Sequence, residues 1–191
     1  MKRFQAQHHA LYLVLFLVSF GSGSCVHKIH VSPIATAVSA NPIQQSVRVY
    51  VPFLALEGAD HMPGIALFDW PVKDLRTAII DYAQQRRTFA SVSEDQGALT
   101  LTIKAWLFMR SRGDYRYIVR FESDLGPSGK PPIKSYLAQR ETVGSEVRWV
   151  TASDQTPIAE AVQVALDDLF LQIEEDALLY SGKNPAKKEG R

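Results

Sequence analysis

The chain has 191 residues, 46% apolar and 21% charged, with 11 Gly and 10 Pro. This excludes wholesale disorder and fits one ordinary domain with a short extra segment. No stretch of about eighteen consecutive apolar residues occurs, so the sequence holds no standard transmembrane helix. A net charge of +1 excludes a nucleic-acid-binding signature, and the single cysteine, Cys25, excludes an intrachain disulfide and a cysteine-built zinc cage.

Residues 1–24 read as an export signal. Lys2 and Arg3 form a basic start, Ala10 to Phe20 is an 11-residue apolar run, and Gly21 to Ser24 are all small. As a helix the run spans only ~16 Å, about half a bilayer core. Cys25 follows directly, an arrangement that resembles the lipobox of bacterial lipoproteins, in which the acylated cysteine becomes the mature N-terminus. Ser22 stands where such boxes usually carry Leu. The other reading is ordinary cleavage within Ser22-Gly23-Ser24, leaving a free thiol. Two or more acyl chains hold a protein stably where one does not, so Cys25 is the candidate lipidation site and a membrane the expected partner. Val26, not Asp, comes next, which under the enterobacterial sorting rule favours the outer membrane of a Gram-negative bacterium. Cleavage before Cys25 leaves 167 residues with 19 basic and 20 acidic side chains.

Residues 25–45 read as a lipidated cysteine and tether, with a short strand over His27–Ser32 ended by Pro33. A single domain over 46–181 follows. Ser46–Phe53 alternates as a strand with Val47, Val49, Val51 and Phe53 on one side, and Pro52 puts it at an edge or ends it. Residues 54–69 form a long apolar connection with a further short strand at 65–68. A helix over 71–87 has Asp69 as its cap, Pro71 in its first turn and a stripe of Val72, Leu75, Ile79 and Tyr82. Phe89–Ser93 is a short strand, and Glu94–Gly97 a turn. Ala98–Arg110 is the strongest strand, with Leu99, Leu101, Ile103, Ala105, Leu107 and Met109 on one face. Gly113-Asp114 turns it into Tyr115–Glu122 as a hairpin. The loop 125–132 and a third strand over Ile133–Thr142 follow, with Val147–Val150 as its extension past a bulge at Gly144. Thr156 and Pro157 start a helix to about Tyr180, striped by Ile158, Ala161, Val162, Ala165, Leu166, Leu169, Phe170 and Ile173. Residues 182–191 read as a disordered basic tail. An antiparallel sheet with one apolar face and two amphipathic helices on that face predicts a two-layer α+β sandwich.

Chemistry-bearing patterns are sparse. His61 is the one histidine in the body of the fold, and Asp60-His61 lacks a G-x-S-x-G partner. No phosphate-cradling glycine loop and no H-E-x-x-H occurs. Asp167-Asp168 and Glu174-Glu175-Asp176 read as a solvated helix face. The expectation is no enzyme, no catalytic residue, no metal site and no cofactor. One surface stands out: the outward strand face carries Arg48, Lys104, Trp106, Phe108, Arg110, Arg116 and Arg120. Trp106 and Phe108, rimmed by Arg110, Arg116 and Arg120, form the candidate face for an envelope protein, a second copy of the chain or an anionic headgroup.

The chain resembles the YajG family of bacterial outer-membrane lipoproteins. The resemblance is carried by Ile29-His30-Val31-Ser32-Pro33, Asp74-Leu75-Arg76, Leu99-Thr100-Leu101-Thr102-Ile103, Tyr115-Arg116-Tyr117, Lys134-Ser135-Tyr136 and Ile158-Ala159-Glu160-Ala161-Val162. Ser22 and the 54–69 connection depart from it. The resemblance implies place and fold, since the family has no assigned reaction. The layout also looks like small envelope lipoproteins of the LptE and PqiC types, which serve as accessory subunits. The expected function is a lipid-anchored, periplasm-facing, non-enzymatic binding or assembly module. The alternative is an accessory subunit of a lipid or lipopolysaccharide transport system, holding an amphiphile between sheet and helices.

Overall fold

The computed structural model describes residues 27–58, 68–112, 114–144 and 155–181. The signal segment, Cys25, His61, the strand expected at 147–150 and the tail 182–191 lie outside the described residues. The elements are β1 (His27–Lys28), β2 (Ile43–Gly58), β3 (Phe68–Asp69), α1 (Val72–Arg86), β4 (Phe89–Ser93), β5 (Leu99–Arg112), β6 (Asp114–Pro127), β7 (Lys134–Val143) and α2 (Gln155–Glu175). A 3-10 turn over Ala177–Tyr180 ends the described chain. Five strands form one sheet in the order β4-β2-β5-β6-β7, and β1 pairs with β3 apart from it. The fold is α+β.

The sheet is mixed, not antiparallel as the sequence suggests. β5, β6 and β7 do pair antiparallel, but β2 runs parallel to both its neighbours, β4 and β5. The helix α1 carries the chain back from β2 to β4, the crossover that parallel strands need. The chain then passes over β2: Val47 and Arg48 face β4 on one side and β5 on the other. Gly97 makes this crossing. A Cβ there would lie 2.3 Å from the Arg48 nitrogen and 2.5 Å from the Val47 carbonyl carbon, inside van der Waals contact. Ser46 Oγ accepts from the Ala98 N–H at 3.0 Å and fastens the link.

β2 is twice as long as expected and does not stop at Pro52. Its pairing with β4 ends at Arg48, so Pro52 stands where β2 has β5 as its one neighbour. The register with β5 slips by one residue between Tyr50 and Phe53. A one-residue bulge flips every later side chain to the other face. Phe53 therefore pairs with Lys104 on the outward face, and Leu54 and Leu56 turn inward beside Ala105 and Leu107.

The inward face of the sheet and both helices share one core cluster. The odd-numbered residues of β5 from Leu99 to Met109 are all buried, as the alternation predicts. Every residue of the predicted α2 stripe is fully buried, and the Tyr82 ring of α1 meets Phe170 of α2 at 5.2 Å. Asp69 does not cap α1. It pairs in β3, and Pro71 occupies the N-cap position without a side-chain bond. Arg87 ends the helix in the left-handed conformation at φ 57°.

The stretch read as a tether is docked from Ile29 onward. Ile29 is buried, and its N–H donates to the Asp69 carbonyl at 2.8 Å. Further on, the Ile34 N–H donates to Gln163 of α2 at 2.8 Å, and the Ala35 N–H to Gln85 of α1 at 3.3 Å. The Ser39 N–H donates to the Arg86 carbonyl at 2.7 Å, and β2 begins at Ile43 rather than Ser46.

Candidate binding face

Strict alternation in β5 sends Lys104, Trp106, Phe108 and Arg110 away from the core. The neighbouring strands complete this face in rows. Ala55, Trp106, Arg120 and Gln139 form one row; Glu57, Phe108, Ile118 and Glu141 form the next. Phe53, Lys104, Glu122 and Leu137 form a third. The bulge at Pro52 is what brings Phe53 here.

Trp106 and Phe108 are half-buried rather than bare. The Trp106 ring meets Phe53 at 5.2 Å, and the Arg120 guanidinium lies 5.7 Å from the Trp106 centroid, in cation–π range. Arg120 also forms an ion pair with Glu122. Arg116 donates to Glu141 at 2.7 Å, and that bond raises the arginine pKa above its ordinary value. Arg110 is exposed and has no ion pair among the described residues. Phe53 is 42% exposed and Leu137 52%, so the apolar part of the face is wider than the two aromatics read from sequence. The sequence reading assigned no faces to the third strand, so Leu137 was missed, and Phe53 reaches this face only through the bulge. An open cavity of about 310 Å³ lies at its edge, lined by Lys104, Glu122, Asp124, Ser135 and Leu137 among others.

A second polar cluster lies between the helices, and here the solvated reading of the α2 acids is corrected. Glu174 is buried and accepts two bonds from Arg86, Nε at 2.7 Å and Nη2 at 3.0 Å, and a third from Thr88 Oγ1 at 2.7 Å. Asp167 accepts from the Tyr82 hydroxyl and from Gln163 Nε2, and lies 3.6 Å from Arg86 Nη1. The bond to Glu174 raises the Arg86 pKa. Burial first, then the bond to Asp167, pushes the Tyr82 phenol well above its ordinary range. Glu174 stands four residues after Phe170 and so continues the buried stripe; its charge made it read as solvated, and the partners that allow its burial, Arg86 and Thr88, lie elsewhere in the chain. One guanidinium thus faces two carboxylates, with Tyr82, Thr88 and Gln163 supplying further donors, and the cluster ties the two helices together. Among the described residues no cluster of His, Cys, Asp or Glu could hold a metal ion. No described helix is long and apolar enough to cross a membrane.

No family model matches the sequence, and no curated protein does either. Among solved structures, the chain is similar to protein XCC0632 from Xanthomonas campestris, of family DUF330. The TM-score is 0.53 at 13% identity, covering 81% of this chain and 95% of that one. At this identity the likeness is one of fold. A minor lipoprotein from Acinetobacter baumannii matches with a TM-score of 0.39 at 13% identity, over 71% of this chain and 92% of that one.

Proposed function

We propose that the chain is a lipid-anchored envelope lipoprotein of the YajG kind, held at the outer membrane through Cys25, that binds a protein partner or a second copy without catalysing a reaction. The observation that carries the binding role is the outward sheet face: Phe53, Trp106, Phe108 and Leu137 set among Lys104, Arg110, Arg116 and Arg120. Aromatic and arginine side chains are the residues that dominate protein interfaces. The export signal, the cysteine directly after it and the short YajG motifs support the location. A two-layer arrangement suits the role, because helices cover one face of the sheet and the other is left for a partner. The transport-subunit reading needs an enclosed space for an amphiphile, and the buried cluster packed between sheet and helices favours the partner-binding reading over it.

A photocrosslinker at Phe53 in cells tests the face. It should capture a discrete adduct that Trp106→Ala with Phe108→Ala abolishes, while the melting temperature falls only slightly. A large fall in melting temperature with the adduct intact overturns the reading. Cys25→Ser should release the protein from the membrane fraction, and mass spectrometry of the wild type should show acylated Cys25.

A further inference from the structure

We propose that the outward sheet face packs against the same face of a second copy of the chain, about a two-fold axis that runs along the strands between β5 and β6; this rests on the binding role given to that face and names its partner. The two halves of the face complement each other. On β5, Lys104 and Arg110 are exposed and have no ion pair among the described residues. Across the hairpin, β6 carries Glu122 and Asp124, and β7 carries Glu141. Shape divides in the same way. Phe53 stands exposed on β2, and the open cavity lies at the other end of its row, lined by Lys104, Glu122 and Leu137 among others. One half thus offers a ring and free cations, the other a hollow and carboxylates.

A two-fold axis brings a surface onto itself, so each half meets the other twice. An axis along the strands exchanges β5 with β6 and β2 with β7, and leaves each row facing its own counterpart. Lys104 then meets Glu122 of the second copy, Trp106 meets Arg120, and Phe53 enters the hollow beside Leu137. Further along, Arg110 and Glu57 come together with Arg116 and Glu141 of the second copy, two charges of each sign. Sheets packed face to face keep their strands within about 30° of each other, so the rows nearest the axis stay matched. An axis across the strands instead lays β5 on β5, whose outward residues from Thr100 to Arg110 include no acid to receive Lys104 or Arg110.

The size of the face suits a stable pair. Four strands at ~4.8 Å spacing and ~10 residues at ~3.3 Å rise give a footprint of roughly 630 Å² per copy, or roughly 1,300 Å² in all. Specific interfaces start at about 1,200 Å². The same axis turns corresponding ends of both copies to one side, as two chains anchored in one leaflet require.

A photocrosslinker at Phe53, in cells that express the chain with two different tags, tests the arrangement. The adduct should have twice the mass of the chain, carry both tags and join residue 53 to a peptide that contains Leu137. Lys104→Glu alone places acid against acid, and Glu122→Lys alone places base against base, so either variant by itself should lower the yield several-fold. The two variants expressed together, one on each tag, should restore the adduct between tags, because each altered residue then meets its opposite charge on the other chain. Contacts within one chain cannot produce that rescue. An adduct of twice the mass without rescue overturns the two-fold arrangement. An adduct whose second component is a different protein overturns the second copy as partner and leaves the binding role of the face standing. No adduct at residue 53 overturns both.

Discussion

Arg86 reaches Glu174 by crossing from one helix to the other, and both groups are buried. Removing one partner of such a pair leaves an uncompensated charge, at a cost of ~3–5 kcal/mol. Arg86→Ala, which leaves buried Glu174 without a cation, should therefore lower the unfolding free energy by about that much in urea titrations. The double change Arg86→Met with Glu174→Leu should recover most of it, because an apolar pair of similar volume needs no desolvation offset. A second prediction follows from three buried phenols. Tyr82, Tyr136 and Tyr180 are all raised above their ordinary value, chiefly by burial. The folded state then holds phenolic protons that the unfolded state has released. Stability is fully present below the unfolded phenol value of about 10 and falls as pH rises past it. Each phenol adds up to ~1.4 kcal/mol per pH unit to that slope. Tyr136 and Tyr180 share a hydroxyl bond of 2.7 Å, so Tyr136→Phe with Tyr180→Phe should flatten the decline in pH-dependent denaturation. A slope unchanged above pH ~10 would show these phenols to be solvated.

At the scale of elements, the parts set by local pattern were legible and the parts set by pairing were not. The α2 stripe reads directly off the spacing because a helix repeats within itself. Leu166→Ala or Phe170→Ala should cost ~2–5 kcal/mol in thermal or chemical unfolding, and a loss near zero would contradict their burial. The alternation of β5 was equally legible. Which strand lies beside which was not, since β2 meets β4 and β5 through residues some 50 positions away. Phe53 shows the consequence. Its alternation with Val47, Val49 and Val51 continues in sequence, yet the bulge at Pro52 reverses its face. Nothing local announces Gly97 as more than a turn residue either. Its role appears only where the chain crosses β2, and Gly97→Ala should destabilise the protein markedly, since the obstacle is backbone and not a movable side chain. A wild-type melting temperature for that variant would mean the crossing is looser than described.

For the whole molecule, the decisive feature is that the segment from Ile29 to Asn41 is packed and hydrogen-bonded onto the domain. A free tether over 25–45 would let the domain tumble, and composition alone supported that reading: residues 34–45 mix Ala35, Ala37 and Ala40 with Thr36, Ser39 and Asn41 before Pro42. Small polar residues are also what a strap crossing two helices requires, because its backbone must approach them closely. The strap spends its N–H groups on Gln163, Gln85 and the Arg86 carbonyl, and Thr36 Oγ1 donates to Asp167 at 3.2 Å. It thereby bridges the helix pair at the Tyr82–Asp167 bond. Burying Ile29 alone is worth ~1.5–3 kcal/mol, and each hydrogen bond adds ~0.5–1.5 kcal/mol. A chain beginning at residue 42 should therefore lose several kcal/mol of stability, and amides of α1 near Arg86 should exchange faster than in the chain that keeps the strap. If the shortened chain instead melts at the wild-type temperature, residues 29–41 are a tether after all.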